Sequence, residues 1–200
     1  MTAQRKLPLP PMTLDEFLAW DGGGHVGKLE LVEGSVRAMA PASLAHGTIQ
    51  LNVGTAIQVH LRGTKSRCRV ATEPPVVPPM RPKKNARAPD IAVTCAPLSD
   101  STVMDDPILI VEVISPSNED ETWESITAVA SLTSLKEIVV VQSTEVAVSV
   151  YTRDAGGNWP GDPVMTAAGG TVRFASLDLD LPIWEVYRDT PLETVAGEAA

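Results

Sequence analysis

Over residues 43–61 apolar side chains recur every three or four positions. Ile49, Val53, Ile57 and Leu61, with Ala56 beside them, form one stripe, which predicts a long amphipathic helix closed by Gly63. Nearer the start, Leu14, Phe17 and Leu18 make a shorter stripe, and Thr13 and Glu16 have capping-box spacing, so residues 13–20 read as a first helix. Between the two helices the period falls to two. In "KLELVEGSVRAMAP", Leu29 and Leu31, then Val36, Ala38 and Ala40, alternate on either side of a Glu33-Gly34-Ser35 turn, which predicts a hairpin.

Beyond residue 67 the apolar runs have strand length: "CRVATE", "DIAVTC", "PILIVEVIS", "KEIVVVQ" and "EVAVSVYTR". The second and third are apolar and β-branched enough for strands buried on both faces. "PPVVPPMRPKKNARAP" carries too much proline for regular structure and reads as an exposed loop or edge segment. "NEDETWESITAVASLTSL" reads as a helix starting from Asn118, with acids in its first turn where the helix dipole favours them. "DAGGNWPGDP" then connects to a peripheral hairpin at about 152–188 and a frayed tail over 189–200. This order predicts an α/β fold, a sheet covered by helices on at least one face, in a single domain spanning 1–188.

Composition adds limits. Apolar residues are 44% and charged residues 20%, an ordinary globular balance. No apolar run approaches the roughly 20 residues of a membrane span, and "MTAQRKLPLPPM" has no signal core, so no membrane role is expected and a cytoplasmic location is. Cys68 and Cys95 lack metal-ligand spacing and read as reduced buried thiols. A net charge of −9 opposes indiscriminate binding to polyanions. Any phosphate contact must therefore be local, and two basic stretches offer one: Arg62, Lys65, Arg67 and Arg69, and Arg81, Lys83, Lys84 and Arg87.

The chemistry concentrates in "ILIVEVISPSN". Glu112 interrupts an apolar strand, and a buried carboxylate needs a metal ion, a cationic side chain or a proton. Alternation puts Glu112 on one face with Ile110 and Ile114. Asp90 follows Pro89 one strand earlier, where it could share an ion with Glu112. Two carboxylates, a strand carbonyl such as that of Val113 and waters make the oxygen-rich set that Mg2+ or Mn2+ favours. A structural role stands beside this, in which Asp90 caps its loop and Glu112 pairs with a buried arginine.

The stretches "LELVEGSVRAMAPASLAHG", "ARAPDIAVTC" and "ILIVEVISPSN" resemble, in order and spacing, the Uma-two family of the PD-(D/E)XK nuclease superfamily. The resemblance runs over about residues 29 to 151 and more weakly to 187. It implies a restriction-endonuclease-like core, a mixed β-sheet flanked by helices, DNA as substrate, and Asp90 and Glu112 as metal ligands. It also marks Glu30 and Glu33 as members of the acidic cluster, or else as turn and strand surface acids, and His46 as a residue facing the cleft or capping its helix. His25, His60 and Trp123 are expected to be surface or packing residues.

The chain departs from the resemblance at the catalytic lysine. Ile114 stands two residues after the second acid, and Ile126 stands where the family's lysine is displaced to the following helix. Either another cation such as Arg87, Lys28 or Lys136 replaces it, or the metal alone does the work, or the protein is not an active nuclease. "NEDETWE" puts Glu119, Asp120, Glu121 and Glu124 where the family is basic. Two functions follow: a metal-dependent endonuclease, or an inactive nuclease fold used for binding or dimerisation; a metal-dependent hydrolase acting on another substrate is a third. An apolar edge at "EVAVSVYTR" suggests a homodimer, which would suit an enzyme cutting both strands of a duplex.

Overall fold

In the computed structural model, which describes residues 4–25, 27–116 and 118–197, strand periods and helix periods fall largely where the pattern puts them. Helix α1 (Leu14–Ala19) begins in a closed capping box, in which the Thr13 amide donates to Glu16 at 2.7 Å and the Glu16 amide donates to Thr13 Oγ1 at 3.3 Å. A three-stranded sheet follows, with β3 (Ser35–Met39) between β1 (Gln4–Lys6) and β2 (Leu29–Val32). Helix α2 (Leu44–Gly63) starts at Ser43, whose hydroxyl accepts from the His46 amide at 3.1 Å.

The main sheet has six strands in the order β4 (Arg69–Thr72), β5 (Ile91–Thr94), β6 (Pro107–Ile114), β7 (Glu137–Gln142), β8 (Val148–Thr152) and β9 (Val164–Thr166). Only β6 and β7 run parallel, joined by helix α3 (Glu119–Val129) as a crossover. Alternation along β6 then decides what each face buries. Leu109, Val111 and Val113 meet Ile49, Val53 and Ile57 of α2, while Ile110 and Ile114 meet Ile126 and Val129 of α3. The sheet is thus covered by helices on both faces. Residues 74–89, proline-rich as expected, make only a short 3-10 turn at Pro82–Lys84 and two isolated bridges, Leu31 to Ala86 and Val76 to Arg87.

The structure differs from the sequence reading in three places. The C-terminal part is not peripheral: β10 (Thr171–Phe174), β11 (Leu179–Pro182), α4 (Ile183–Val186) and α5 (Glu193–Gly197) bury Val172, Phe174, Leu181, Ile183, Tyr187 and Ala196 in the core under α2. The tail expected to fray from residue 189 therefore holds a turn of helix anchored by buried Ala196, and residues 198–200 lie outside the described residues. The apolar positions of the C-terminal part are too sparse to show a period, yet Tyr187 locks it down: its one hydroxyl proton lies between the carbonyls of Gln142 and Ala147, each at 3.0 Å, and its oxygen accepts from the Ala147 amide at 3.1 Å.

The second correction concerns the cysteines, which form a Cys68–Cys95 disulfide rather than reduced thiols. β4 and β5 pair Arg69 with Thr94, so the cysteines stand opposite one another one step further along, with Cα atoms 4.0 Å apart. Third, β8 is not an edge, because β9 pairs with it, and the homodimer loses the strand that suggested it. Among the described residues no helix is long and apolar enough to cross a membrane.

Candidate active site

The site lies at the carboxyl ends of the parallel pair β6 and β7, where open α/β sheets leave a crevice that no strand fills. A cavity of about 770 Å³ opens there, lined by Lys28, Glu30, His46, Asp90 and Glu112 on one side and by Ser115, Asn118, Thr122, Ser125 and Ser143 on the other. The β5–β6 register brings Ile91 opposite Val111, so Asp90 arrives one step further on, beside Glu112. The Asp90 amide donates to Glu112 Oε2 at 3.4 Å.

Asp90 is held on every side. Its Oδ1 accepts from Lys28 Nζ at 3.0 Å, its Oδ2 from the Val113 amide at 2.8 Å, and Oδ2 lies 3.3 Å from His46 Nε2. Its carbonyl accepts from Gln50 Nε2 at 2.7 Å and from the Glu73 amide at 3.1 Å. Burial opposes ionisation, but Lys28, His46 and the Val113 amide together depress the carboxyl far below its ordinary range. Glu112 moves the other way. Burial raises it, the nearby Asp90 and Glu30 charges add to the rise, and Lys28 only partly offsets them. Among the described residues its one hydrogen-bond donor is the long contact from Asp90. For Lys28, burial favours the neutral amine, yet Glu112, Asp90 and Glu30 outweigh it and keep the ammonium charged.

Glu30 completes the buried cluster. It accepts from the Ala88 amide at 3.0 Å and lies 3.4 Å from Arg87, which also reaches Glu124 at 3.5 Å; Glu124 in turn accepts from Arg37 at 2.9 Å. This chain of ion pairs ties the first hairpin to α3.

The structure thus brings together Asp90, Glu112, Glu30, His46 and the Val113 backbone, with Arg87 behind Glu30. It does not bring Glu33 to them. Glu33 sits in the hairpin turn, accepts from Arg81 and Asn85, and shares a separate surface hollow with Lys83 and Lys84. Arg62, Lys65, Arg67 and Arg69 lie at the far end of α2 and β4, with Arg69 donating to the Ala96 and Pro97 carbonyls. Lys136 is at the amino end of β7, away from Glu112. Trp123 packs edge-on against Tyr151, as expected of a packing residue.

Ile114 and Ile126, where a lysine was looked for, are both buried in the apolar layer under α3. Sequence reasoning missed the polar wall of α3. Thr122 and Ser125 interrupt its buried stripe, and the Ser125 hydroxyl is buried without a partner. That interruption was the available signal.

Three similarities complete the picture. The model of the Uma2 family, described as "Putative restriction endonuclease", matches residues 14–183. The uncharacterized protein slr1290 of Synechocystis sp. is 28% identical over 184 residues, covering 90% of this chain and 94% of its own length. The crystal structure of "a putative nuclease belonging to DUF820" from Anabaena variabilis has the same fold, with a TM-score of 0.70 at 19% identity over 88% of this chain and 98% of that one.

Proposed function

The chain belongs to the Uma2 family, and from that membership and its buried acidic cavity we propose that it is a metal-dependent endonuclease hydrolysing DNA phosphodiester bonds. One observation carries the reading: Glu112, buried and short of donors, stands against Asp90 at the carboxyl ends of β6 and β7. A structural carboxylate fills its lone pairs; this one, among the described residues, accepts a single long hydrogen bond.

The donor set fits Mg2+ or Mn2+. Among the described residues no three His, Cys, Asp or Glu side chains converge as a ready cage. An ion here would draw on Asp90, Glu112 and the Val113 carbonyl and complete its sphere with water, as hard divalent ions commonly do. When bound, it would supply Lewis-acid polarisation of the phosphate and a more acidic water.

The chain's own residues do the rest. In the reaction a water oxygen bonds to phosphorus, the bond from phosphorus to the leaving sugar oxygen breaks with its electron pair, and that oxygen takes up a proton. The attacking water loses one proton, which His46 can accept at the cavity wall. Glu30, fixed by Ala88 and Arg87, adds a third carboxylate that strengthens the pull on a cation. Lys83 and Lys84, exposed beside the hairpin turn, meet backbone phosphates outside the cavity.

Cleavage of supercoiled plasmid with Mg2+ or Mn2+ tests the proposal. Asp90→Asn and Glu112→Gln should each lower the rate by about 100-fold or more. Full cleavage by the double variant would sink it.

A second reading, an inactive nuclease fold serving as a binding or dimerisation module, draws on the acids at the cavity wall, Glu73 and Glu121, and on isoleucine at both lysine positions. Metal-dependent turnover that disappears in Asp90→Asn would remove it.

A further inference from the structure

Lys28 is the one lysine or arginine among the residues lining the cavity. It stands just ahead of β2. Its carbonyl accepts from the Met39 amide at 3.0 Å, which fixes the backbone, and Gly27 before it has φ +110 with open space around it. The side chain is 14% exposed and its ammonium lies 3.0 Å from Asp90 Oδ1. The other oxygen of Asp90 faces the Val113 amide and His46, so Lys28 is the described partner of Oδ1.

No other candidate fits. Ile114 and Ile126 point into apolar packing. Arg87 is held between Glu30 and Glu124, 5% exposed, and does not line the cavity. The geometry points to a double role, resting on the nuclease reading above: we propose that Lys28 is the internal counter-ion of Asp90 in the resting protein and the catalytic cation of the loaded site. While nothing else engages Asp90, the ammonium holds Oδ1. With a divalent ion bound, Oδ1 would no longer need the ammonium, which on its four-carbon tether, beside the Glu112 and Glu30 carboxylates, would be free to turn to a nonbridging oxygen of a phosphate in the cavity. No proton is transferred by Lys28; it offsets charge developing on phosphorus.

A purely structural ion pair and this role differ in sign. If Lys28 only supported Asp90, its removal would loosen the site and weaken metal binding. If it competes for Oδ1, its removal strengthens metal binding while turnover falls. Calorimetric titration of Mn2+ into wild type and Lys28→Met should show about tenfold tighter binding in the variant. At saturating Mn2+, plasmid cleavage by Lys28→Met should fall about 100-fold. Lys28→Arg, which keeps the charge, should bind Mn2+ as wild type does and recover part of the cleavage.

Mn2+ affinity that is unchanged or weaker in Lys28→Met overturns the counter-ion role. Undiminished cleavage by Lys28→Met, with Asp90→Asn inactive, overturns the catalytic role and leaves the nuclease reading standing. If wild type cleaves no DNA, the nuclease reading and the catalytic role fail together, while the calorimetry still decides the counter-ion role. Should Lys28→Met not fold, Lys28→Gln carries the same comparison.

Discussion

Two buried glutamates lie on neighbouring strands of the same sheet, and their surroundings predict opposite responses to the same substitution. Glu137 is fully buried at the start of β7. Its Oε1 accepts from the Ala175 amide at 2.9 Å and Thr152 Oγ1 at 3.2 Å, and its Oε2 from the Ser176 amide at 3.0 Å and Ser176 Oγ at 2.6 Å. Four donors converge on one carboxylate and hold down the turn after β10. In Glu137→Gln an NH2 group replaces one oxygen. Either hydroxyl can turn away, but one backbone amide is stranded, at about 1–3 kcal/mol, and the remaining bonds lose charge assistance, about 1 kcal/mol each. Removing a buried charge gives some of this back, so a net loss of about 2–4 kcal/mol is expected.

Glu112→Gln should cost nothing, because the charge it removes is opposed by Asp90 and Glu30. A gain of about 0–2 kcal/mol at pH 7 is expected. The folded Glu112 carboxyl titrates above its ordinary value of 4.5, so the stability it lends is present below that value and is lost as pH rises through the raised one. The advantage of Glu112→Gln should therefore widen with pH. Urea denaturation of the metal-depleted protein, followed by the emission of its four tryptophans, reads both effects. With m of about 1–3 kcal/mol/M, Glu137→Gln should move the midpoint down by roughly 1–2 M. Equal destabilisation by the two substitutions would mean that Glu112 is a satisfied structural acid, and the argument for a cation site would fail.

Arg87→Met removes the guanidinium beside Glu30, itself 2% exposed, and should lower stability by about 2–4 kcal/mol, roughly 5–12 °C in Tm by calorimetry. An unchanged Tm would show that the pair is not coupled, whereas adding Glu30→Gln should restore much of the loss. Reduction of Cys68–Cys95, which closes a loop across 27 positions, should destabilise by about 3 kcal/mol in urea titrations with and without a reductant. Burial opposes ionisation of Glu124, but its contacts with Arg37 and Arg87 depress the carboxyl below its ordinary 4.5, and its side chain is 47% exposed. The stability lost in Glu124→Gln should be under about 1 kcal/mol at pH 7, should shrink as pH falls below 4.5, and should fade with added salt. A difference that persists at acid pH would contradict that assignment.

The chain's own pattern determined α1, the first hairpin, α2, α3 and the five strands β4 to β8, because each follows from a local period and a local stop signal. It also singled out Glu112, since an acid inside a β-branched run stands out without knowledge of its neighbours, and Asp90, which follows Pro89 at the head of the preceding strand. Only the tertiary structure decided the rest. Cys68 and Cys95 are joined because the β4–β5 register sets them face to face. Glu137 is silent in sequence because its four donors come from β8 and the turn after β10. The C-terminal segment is core because α2 leaves a face for it to cover, not because its own residues show a period. Lys28 reaches Asp90 across 62 positions because the Leu31–Ala86 bridge seats the first hairpin against the segment leading into β5. Periodicity is a property of neighbours along the chain, whereas the partner of a buried charge is chosen by whichever segments the packing brings within about 3 Å.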